Sequence, residues 1–343
     1  MVDVDIYIAE TYDDFEHAYS LAEKVFSENT IDSEYSLHKH DQWSADPSFK
    51  ISNLVIARNK TTDKVIGMIR IVPRVIFRGK KEFRVAGISS VCVAPEHRGK
   101  GISSILINST LQECRNRNFD FALLIARRAL DHYYTKYGFW GVSSYNQLLV
   151  KGVSCSSESD IILTVEEEIS PELIEVYKHV YDTCYAECFG RFKRDDRYWE
   201  FLITRIKSLP GIRNRSIRLK GKVVGYIVDD GRIIYEIAYI QGRNIGQRVL
   251  SSFVRRQQGE VMLEIPANHS LVRDLGMLDK TISFRECRYG GHMIRILNDE
   301  CQPCSNFLSK SNSYEDTCAQ LGIYQVSLGG EGTPFNVGLL DQF

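Results

Sequence analysis

The sequence predicts an α/β chain of the α+β kind: a mixed, largely antiparallel sheet flanked by helices, followed by a second domain of similar build. Three observations predict it. Short apolar runs alternate with amphipathic segments over residues 1–152. The early runs are joined by turns too short for crossovers, so those strands pair antiparallel. The order of hairpin strands, helix and strand then returns over residues 215–265, a weak architectural repeat without a shared motif.

Taken in order, residues 4–9 read as a short strand. Residues 13–28 read as a helix, because Phe15, Ala18, Leu21, Ala22, Val25 and Phe26 recur at helical spacing. The apolar runs 53–59 and 65–73 flank the polar Lys60-Thr61-Thr62-Asp63, which predicts a hairpin. Residues 75–77 and 83–93 follow as strands around a turn at Gly79-Lys80-Lys81. Residues 95–101 break the pattern, 102–117 form a helix, and 121–125 a buried strand. A helical segment over 129–136, a turn at Gly138-Phe139 and a strand over 145–150 end this half. Residues 151–160, with four serines, read as a linker.

The second half opens with helices over 171–187 and 197–207. Strands over 215–219, 223–229 and 233–240 are separated by Lys220-Gly221-Lys222 and Asp230-Gly231-Arg232 turns. A helix over 245–258 and a strand over 261–265 follow. Residues 299–343 show little periodicity and are expected as a short C-terminal segment or tail. The expected organisation is therefore 1–152, 153–298 and 299–343.

Composition excludes several classes. At 343 residues with 43% hydrophobic and 25% charged, the chain is that of an ordinary globular protein, not a disordered, collagenous or disulfide-stapled one. The 43 Lys and Arg against 44 Asp and Glu give a net charge of -1, so no global field favours nucleic acid or an anionic membrane. No run approaches the roughly 20 apolar residues of a membrane span. The N-terminus lacks a basic stretch leading into an apolar run, so a cytoplasmic protein is expected. Nine cysteines fit reduced, mostly buried thiols. Cys301 and Cys304 form a CxxC with Cys287, His292 and Cys318 in the neighbourhood, and Cys184 and Cys188 share a helical face. Neither pair has the second closely spaced pair of a zinc site, the eight histidines lack HExxH spacing, and no metal is expected.

The chemistry-bearing segment is Val91-Cys92-Val93-Ala94-Pro95-Glu96-His97-Arg98-Gly99-Lys100-Gly101-Ile102-Ser103-Ser104, a strand entering a glycine turn and then a helix. Such a turn leaves backbone N–H groups pointing outward at a positive helix end, where they can cradle a diphosphate. It is neither a P-loop nor a GxGxxG fingerprint. Arg98 and Lys100 add cations beside it, as does Arg127 farther along. Cys92 has no base placed by sequence to activate it and is read as packing.

Strand-VxPxxRGxG-helix resembles the pyrophosphate loop of the GNAT superfamily of acyl-CoA-dependent acyltransferases. Tyr133-Tyr134-Thr135-Lys136-Tyr137-Gly138-Phe139 is similar to that family's Y-x-K-x-GF element. Two departures stand out: Glu96 replaces the usual Gln or Arg, and Arg127 and Leu130 stand where many members have Asn and Ala. The outline over residues 1–298 resembles the Eis-type (enhanced intracellular survival) tandem-GNAT acetyltransferases, through Gly190 to Trp199 and through residues 292–297, which are like the start of their third domain. Only about 45 residues remain after that, too few for a third domain.

The resemblance implies acetyl-CoA as co-substrate and backbone contacts from Val91, Cys92 and Val93 to its pantetheine arm. It implies a cofactor loop of Arg98, Gly99, Lys100, Gly101, Ile102, Ser103 and Ser104, with Arg127 nearby. Tyr134, four residues before Gly138, takes the role of general acid, with Tyr133 the alternative. No acidic residue in 85–93 serves as base, and the Eis-type pattern puts that role on the C-terminal carboxylate, here Phe343. The expected acceptor is the primary amine of a small molecule such as an amino-bearing antibiotic or polyamine, of a peptide, or of a lysine. Asp229, Asp230, Glu236 and Glu264 are candidates to line its cleft. Self-association is expected by the same resemblance; a non-catalytic acyl-CoA sensor is the alternative.

Overall fold

The computed structural model describes residues 3–27, 43–126, 130–151, 160–242, 244–257, 260–266, 268–275 and 282–298. Predictions falling on Arg127, Cys301, Cys304 and Phe343, and most of the linker, lie outside them.

The N-terminal half builds its sheet from β1 (Val4–Ile8), β2 (Leu54–Asn59), β3 (Val65–Arg78), β4 (Lys81–Val93) and β5 (Phe121–Ile125). β1 to β4 are successive antiparallel neighbours, and β4 and β5 run parallel. Helix α1 (Tyr12–Ser27) covers one face and α2 (Ile102–Asn116) the other. Strand alternation sorts the core: Leu54 and Ile56 pack with Phe15, Ala18 and Ala22 of α1, whereas Val55 and Ala57 pack with Leu106 and Leu111 of α2. Asp14 caps α1 by accepting from the Thr11 amide and hydroxyl, and ion-pairs with Arg58.

The short α3 (Asp131–Thr135) leads into β6 (Trp140–Val150). Beyond it come β7 (Ile161–Val165), α4 (Pro171–Cys184), β8 (Arg191–Phe192), α5 (Asp196–Ser208), β9 (Arg213–Leu219), β10 (Lys222–Asp229), β11 (Ile233–Tyr239), α6 (Ile245–Gln257), β12 (Val261–Pro266), α7 (Ser270–Leu275) and β13 (Ile282–Ile296). The strands form one sheet in the order β1-β2-β3-β4-β5-β13-β6-β12-β11-β10-β9-β7, with β8 pairing β3.

Three strands were not expected, the two-residue β8 among them. β7 is a short edge strand beside β9. β13 is the longer surprise: residues from Ile282 to Tyr289 and, after a register shift, Met293 and Ile294 pair with β6, while His292–Ile296 pair with β5 on the other edge. Residues 292–297, which resemble the opening of another domain, therefore lie largely in the strand that borders β5. Phe121, Leu123 and Ile294 join Phe189, Phe192, Tyr198 and Leu202 in the core where the halves meet.

β3 also runs unbroken through Pro73, where the sequence suggested a break. β2 pairing ends at Arg70 and β8 pairing begins at Ile76, so Pro73 occupies the open part of that edge and its missing N–H costs no ladder bond there. Arg70 and Arg74 of β3 both ion-pair with buried Asp46, at 3.0 and 2.7 Å. Arg74 also lies over the Tyr198 ring from α5.

The second-half carboxylates are structural rather than cleft-lining. Glu236 accepts two bonds from Arg194 and one from the Tyr226 hydroxyl, all buried. Asp229 pairs with Arg215 at 2.6 Å. Asp230 closes its own turn on the Arg232 and Ile233 amides, and Glu264 accepts from Gln147. The Cys184 thiol meets the Tyr239 carbonyl and Cys188 the Asn268 side chain, each unbridged. Among the described residues, no group of three or more His, Cys, Asp or Glu could hold a metal ion, and no helix is long and apolar enough to cross a membrane.

Candidate functional site

The site begins with a strand that loses its neighbour. β4 pairs with β5 only from Val85 to Gly87, opposite Phe121 to Leu123, so Val91, Cys92 and Val93 have no strand on that edge. On the β3 side, Met68 pairs with Cys92 and Arg70 with Ser89, which leaves Ser90 and Val91 opposite the single residue Ile69. This is a β-bulge, and Ser90 takes a left-handed conformation within it (φ 53°). Its signal in the sequence is slight: two consecutive serines inside the otherwise apolar stretch 85–93.

After β4 the chain turns through Pro95–His97 into Gly99 and Gly101, both left-handed at φ 73° and 79°. Such angles favour glycine, because a Cβ would crowd the following carbonyl. A Cβ added at either would meet nothing within 4 Å, so these glycines leave open space above the backbone. Gly101 is the N-cap of α2, and its carbonyl accepts from the Ser104 and Ile105 amides at 3.0 and 3.3 Å. The Ile102 and Ser103 amides precede those bonds and stand at the positive end of a 15-residue helix. Arg98 Nε donates to the Val93 carbonyl and Lys100 Nζ to the Glu96 carbonyl, tying the turn down while both side chains remain exposed.

The opposite wall is α3. Gly138 is left-handed at φ 75°, the Phe139 amide donates to the Tyr134 carbonyl, and the Gly138 amide donates to the Thr135 carbonyl. That bond pair is a Schellman cap, and its usual apolar contact is here between the rings of Tyr134 and Phe139, 6.2 Å apart. The Gly-Phe sequence thus fixes the end of the helix that carries the tyrosines. Tyr133 donates its hydroxyl to Ser103 at 2.8 Å and Tyr137 to Ser104 at 2.7 Å. Tyr134 is different: only 8% exposed, it makes no hydrogen bond with its hydroxyl among the described residues. Burial, with Tyr133 and Tyr137 adding to it, pushes its pKa up to about 12, so it holds its proton throughout the neutral range.

Between these walls lies a crevice of about 650 Å³, open mouth included, lined by Val91, Cys92, Val93, His97, Arg98, Gly99, Gly101, Ile102, Ser103, Leu130, Tyr133 and Tyr134. Lys100 and Ser104 flank it without lining it. None of the described lining residues is a carboxylate. His97 lines the crevice with its Nδ1 buried and unpartnered, a feature its position in an exposed-looking turn did not announce. Burial pushes the Cys92 thiol up to about 12, as expected of a packing residue rather than a nucleophile. The two open glycines, the free helix amides and the unpaired strand edge fit a long phosphate-bearing thioester such as acyl-CoA.

The repeated unit in the second half differs at the corresponding place. There the Gly246 amide at the start of α6 donates to Asp274 Oδ2 at 3.1 Å, and the Tyr239 hydroxyl donates to the same oxygen. The chain's own carboxylate takes the helix start that the first unit leaves open.

Residues 7–143 match the family model described as an acetyltransferase (GNAT) domain. No curated protein sequence matches the chain. Among solved structures, a GCN5-related N-acetyltransferase from Anabaena variabilis is 20% identical with a TM-score of 0.63, over 86% of this chain and 73% of that one. A probable N-acyltransferase from Enterococcus faecalis is 15% identical with a TM-score of 0.66, over the same shares. Eis1 from Mycobacterium abscessus is 14% identical with a TM-score of 0.60, over 86% and 74%. The overall fold is therefore one shared with these proteins, and residues 7–143 are similar to the acetyltransferase (GNAT) domain that the family model describes.

Proposed function

We propose that the chain is an acetyl-CoA-dependent N-acetyltransferase that moves an acetyl group directly to a primary amine. The acceptor is a small molecule such as an amino-bearing antibiotic or polyamine, a peptide, or a lysine side chain. The observation that carries this reading is the union in one crevice of an open helix N-terminus and a protonated tyrosine hydroxyl without a partner. On this reading residues 1–152 are the catalytic domain, 153–298 a second, degenerate GNAT-like domain, and 299–343 a short C-terminal segment. The protein is cytoplasmic and self-associating.

In the transfer, the amine nitrogen forms a bond to the acyl carbon, the carbon–sulfur bond breaks, and the departing sulfur takes a proton. The Ile102 and Ser103 amides, with Gly99 and Gly101 allowing close approach and Arg98, Lys100, Ser104 and Arg127 in support, hold the diphosphate. The free edge of Val91 to Val93 receives the amide-bearing arm of the thioester as an added strand would be received. Tyr134 donates the proton. It is favoured over Tyr133 because the Tyr133 hydroxyl is already given to Ser103. No carboxylate lines the described crevice, so the amine nitrogen sheds its proton to water.

The test is thiol release from acetyl-CoA across a panel of amines, with Tyr134→Phe alongside. Amine-dependent release by the wild type and at least a hundredfold loss of kcat in Tyr134→Phe, with acetyl-CoA affinity within twofold, is the expected result. Full turnover by Tyr134→Phe overturns the assignment of the acid. Tight acetyl-CoA binding without amine-dependent release across the panel identifies the alternative, a non-catalytic acyl-CoA sensor.

A further inference from the structure

Helix α3 spans only Asp131–Thr135, far shorter than the roughly 12 residues at which a helix begins to hold itself together in water. Its N-cap, Leu130, supplies no side-chain bond. The direction of the Tyr134 ring is consequently set from outside the helix. At the start of α2, Ser103 and Ser104 receive the Tyr133 and Tyr137 hydroxyls. At the other end, the Tyr137 carbonyl is a C-terminal oxygen left over by the Schellman cap, and the Arg295 guanidinium donates to it. Arg295 reaches this position from β13, where it pairs with Ala122 of β5, and its side chain passes within 3.7 Å of the place a Gly138 Cβ would occupy. It is half-buried, burial together with Arg115 lowers its pKa, and among the described residues no carboxylate pairs with it. A cation at a helix C-terminus is favoured by the helix dipole, and a charged donor makes about twice as strong a bond as a neutral one.

We propose that Arg295 is a positioning residue for acyl transfer, a cationic cap supplied by the last strand of the second half that holds α3 and so keeps the Tyr134 hydroxyl aimed into the crevice. This rests on the reading of Tyr134 as the acid. It also gives the second half a part in catalysis that does not depend on its binding anything. Because Arg295 does not line the crevice, losing it misdirects Tyr134 without touching the diphosphate cradle.

The experiment compares wild type with Arg295→Met, Arg295→Gln and Arg295→Lys in the full chain, measuring kcat with the best amine of the panel and acetyl-CoA affinity by calorimetry. Expected is a kcat lowered about tenfold in Arg295→Met, recovery to within threefold of wild type in Arg295→Lys, and acetyl-CoA affinity within twofold in both. If Arg295→Met does not fold, Arg295→Gln carries the same comparison, with kcat at least threefold below Arg295→Lys. Wild-type kcat in the neutral variants overturns the proposal. So does a loss of acetyl-CoA affinity matching the loss of kcat, which would make Arg295 part of the cofactor site. Failure of the wild type itself to bind acetyl-CoA would instead overturn the functional reading beneath it.

Discussion

Gly101→Ala separates the stability of the glycine turn from its use. Gly101 sits at φ 79°, where an L-residue costs about 1–2 kcal/mol. An added Cβ meets no atom within 4 Å, so no clash adds to that cost. The variant should therefore fold, with a loss of about 1 kcal/mol and a Tm lower by about 2 °C. Ligand binding should suffer far more. The methyl would fill the space above the Ile102 and Ser103 amides, and each charge-assisted bond to a diphosphate lost there is worth about 1.5–3 kcal/mol. At 1.4 kcal/mol per decade, one such bond corresponds to a loss of about ten- to a hundredfold in acetyl-CoA affinity. Calorimetric titration of wild type and variant, beside their melting curves, measures both quantities. Wild-type affinity in a folded Gly101→Ala protein would refute the argument that the open glycine is where the phosphates approach.

Other consequences can be checked separately. Because burial raises Tyr134 to about 12, kcat should show no alkaline loss due to this group below about pH 11; Tyr134 favours the fold fully below its unfolded value near 10, and that contribution fades as pH rises from there through about 12. A pH–rate profile of wild type against Tyr134→Phe tests the first part, and a wild-type limb near pH 8 that vanishes in the variant would contradict it. Glu236→Gln leaves the Arg194 guanidinium, 1% exposed, without its counter-charge, and should cost about 3–5 kcal/mol in denaturant unfolding. The Cys92 and Cys114 thiols, each pushed up to about 12 by burial, should resist iodoacetamide at pH 8 in the folded chain and react in urea, as read by peptide mass.

The site was legible in the sequence where chemistry demands particular residue types. Two glycines between a strand and a helix announce left-handed turns and close approach, and Gly138-Phe139 announces a helix end carrying an apolar contact. The α2 helix was readable because Leu106, Leu111 and Cys114 share one buried stripe. Of the adjacent tyrosines, Tyr134 was favoured over Tyr133 only by its place four residues before Gly138. The structure separates them by hydrogen bonding, with Tyr133 committed to Ser103. What local pattern hid was long-range. β13 lies between β6 and β5 and shifts register against β6 between Tyr289 and Met293, so its place is set by strands more than a hundred residues away. The Arg295 contact with the Tyr137 carbonyl spans 158 residues and belongs to no motif. Glu236 looked like an exposed strand or cleft acid because nothing nearby in sequence reveals Arg194 and Tyr226 as its partners.

Whether the crevice at the start of α2 takes acyl-CoA is measured most directly by calorimetric titration of the full chain with acetyl-CoA. The open cradle of Gly99 to Ser103, set against the Asp274-capped start of α6, predicts saturable binding at one site per chain. No heat of binding from a folded sample would contradict the claim, and two sites per chain would contradict the distinction drawn between the halves.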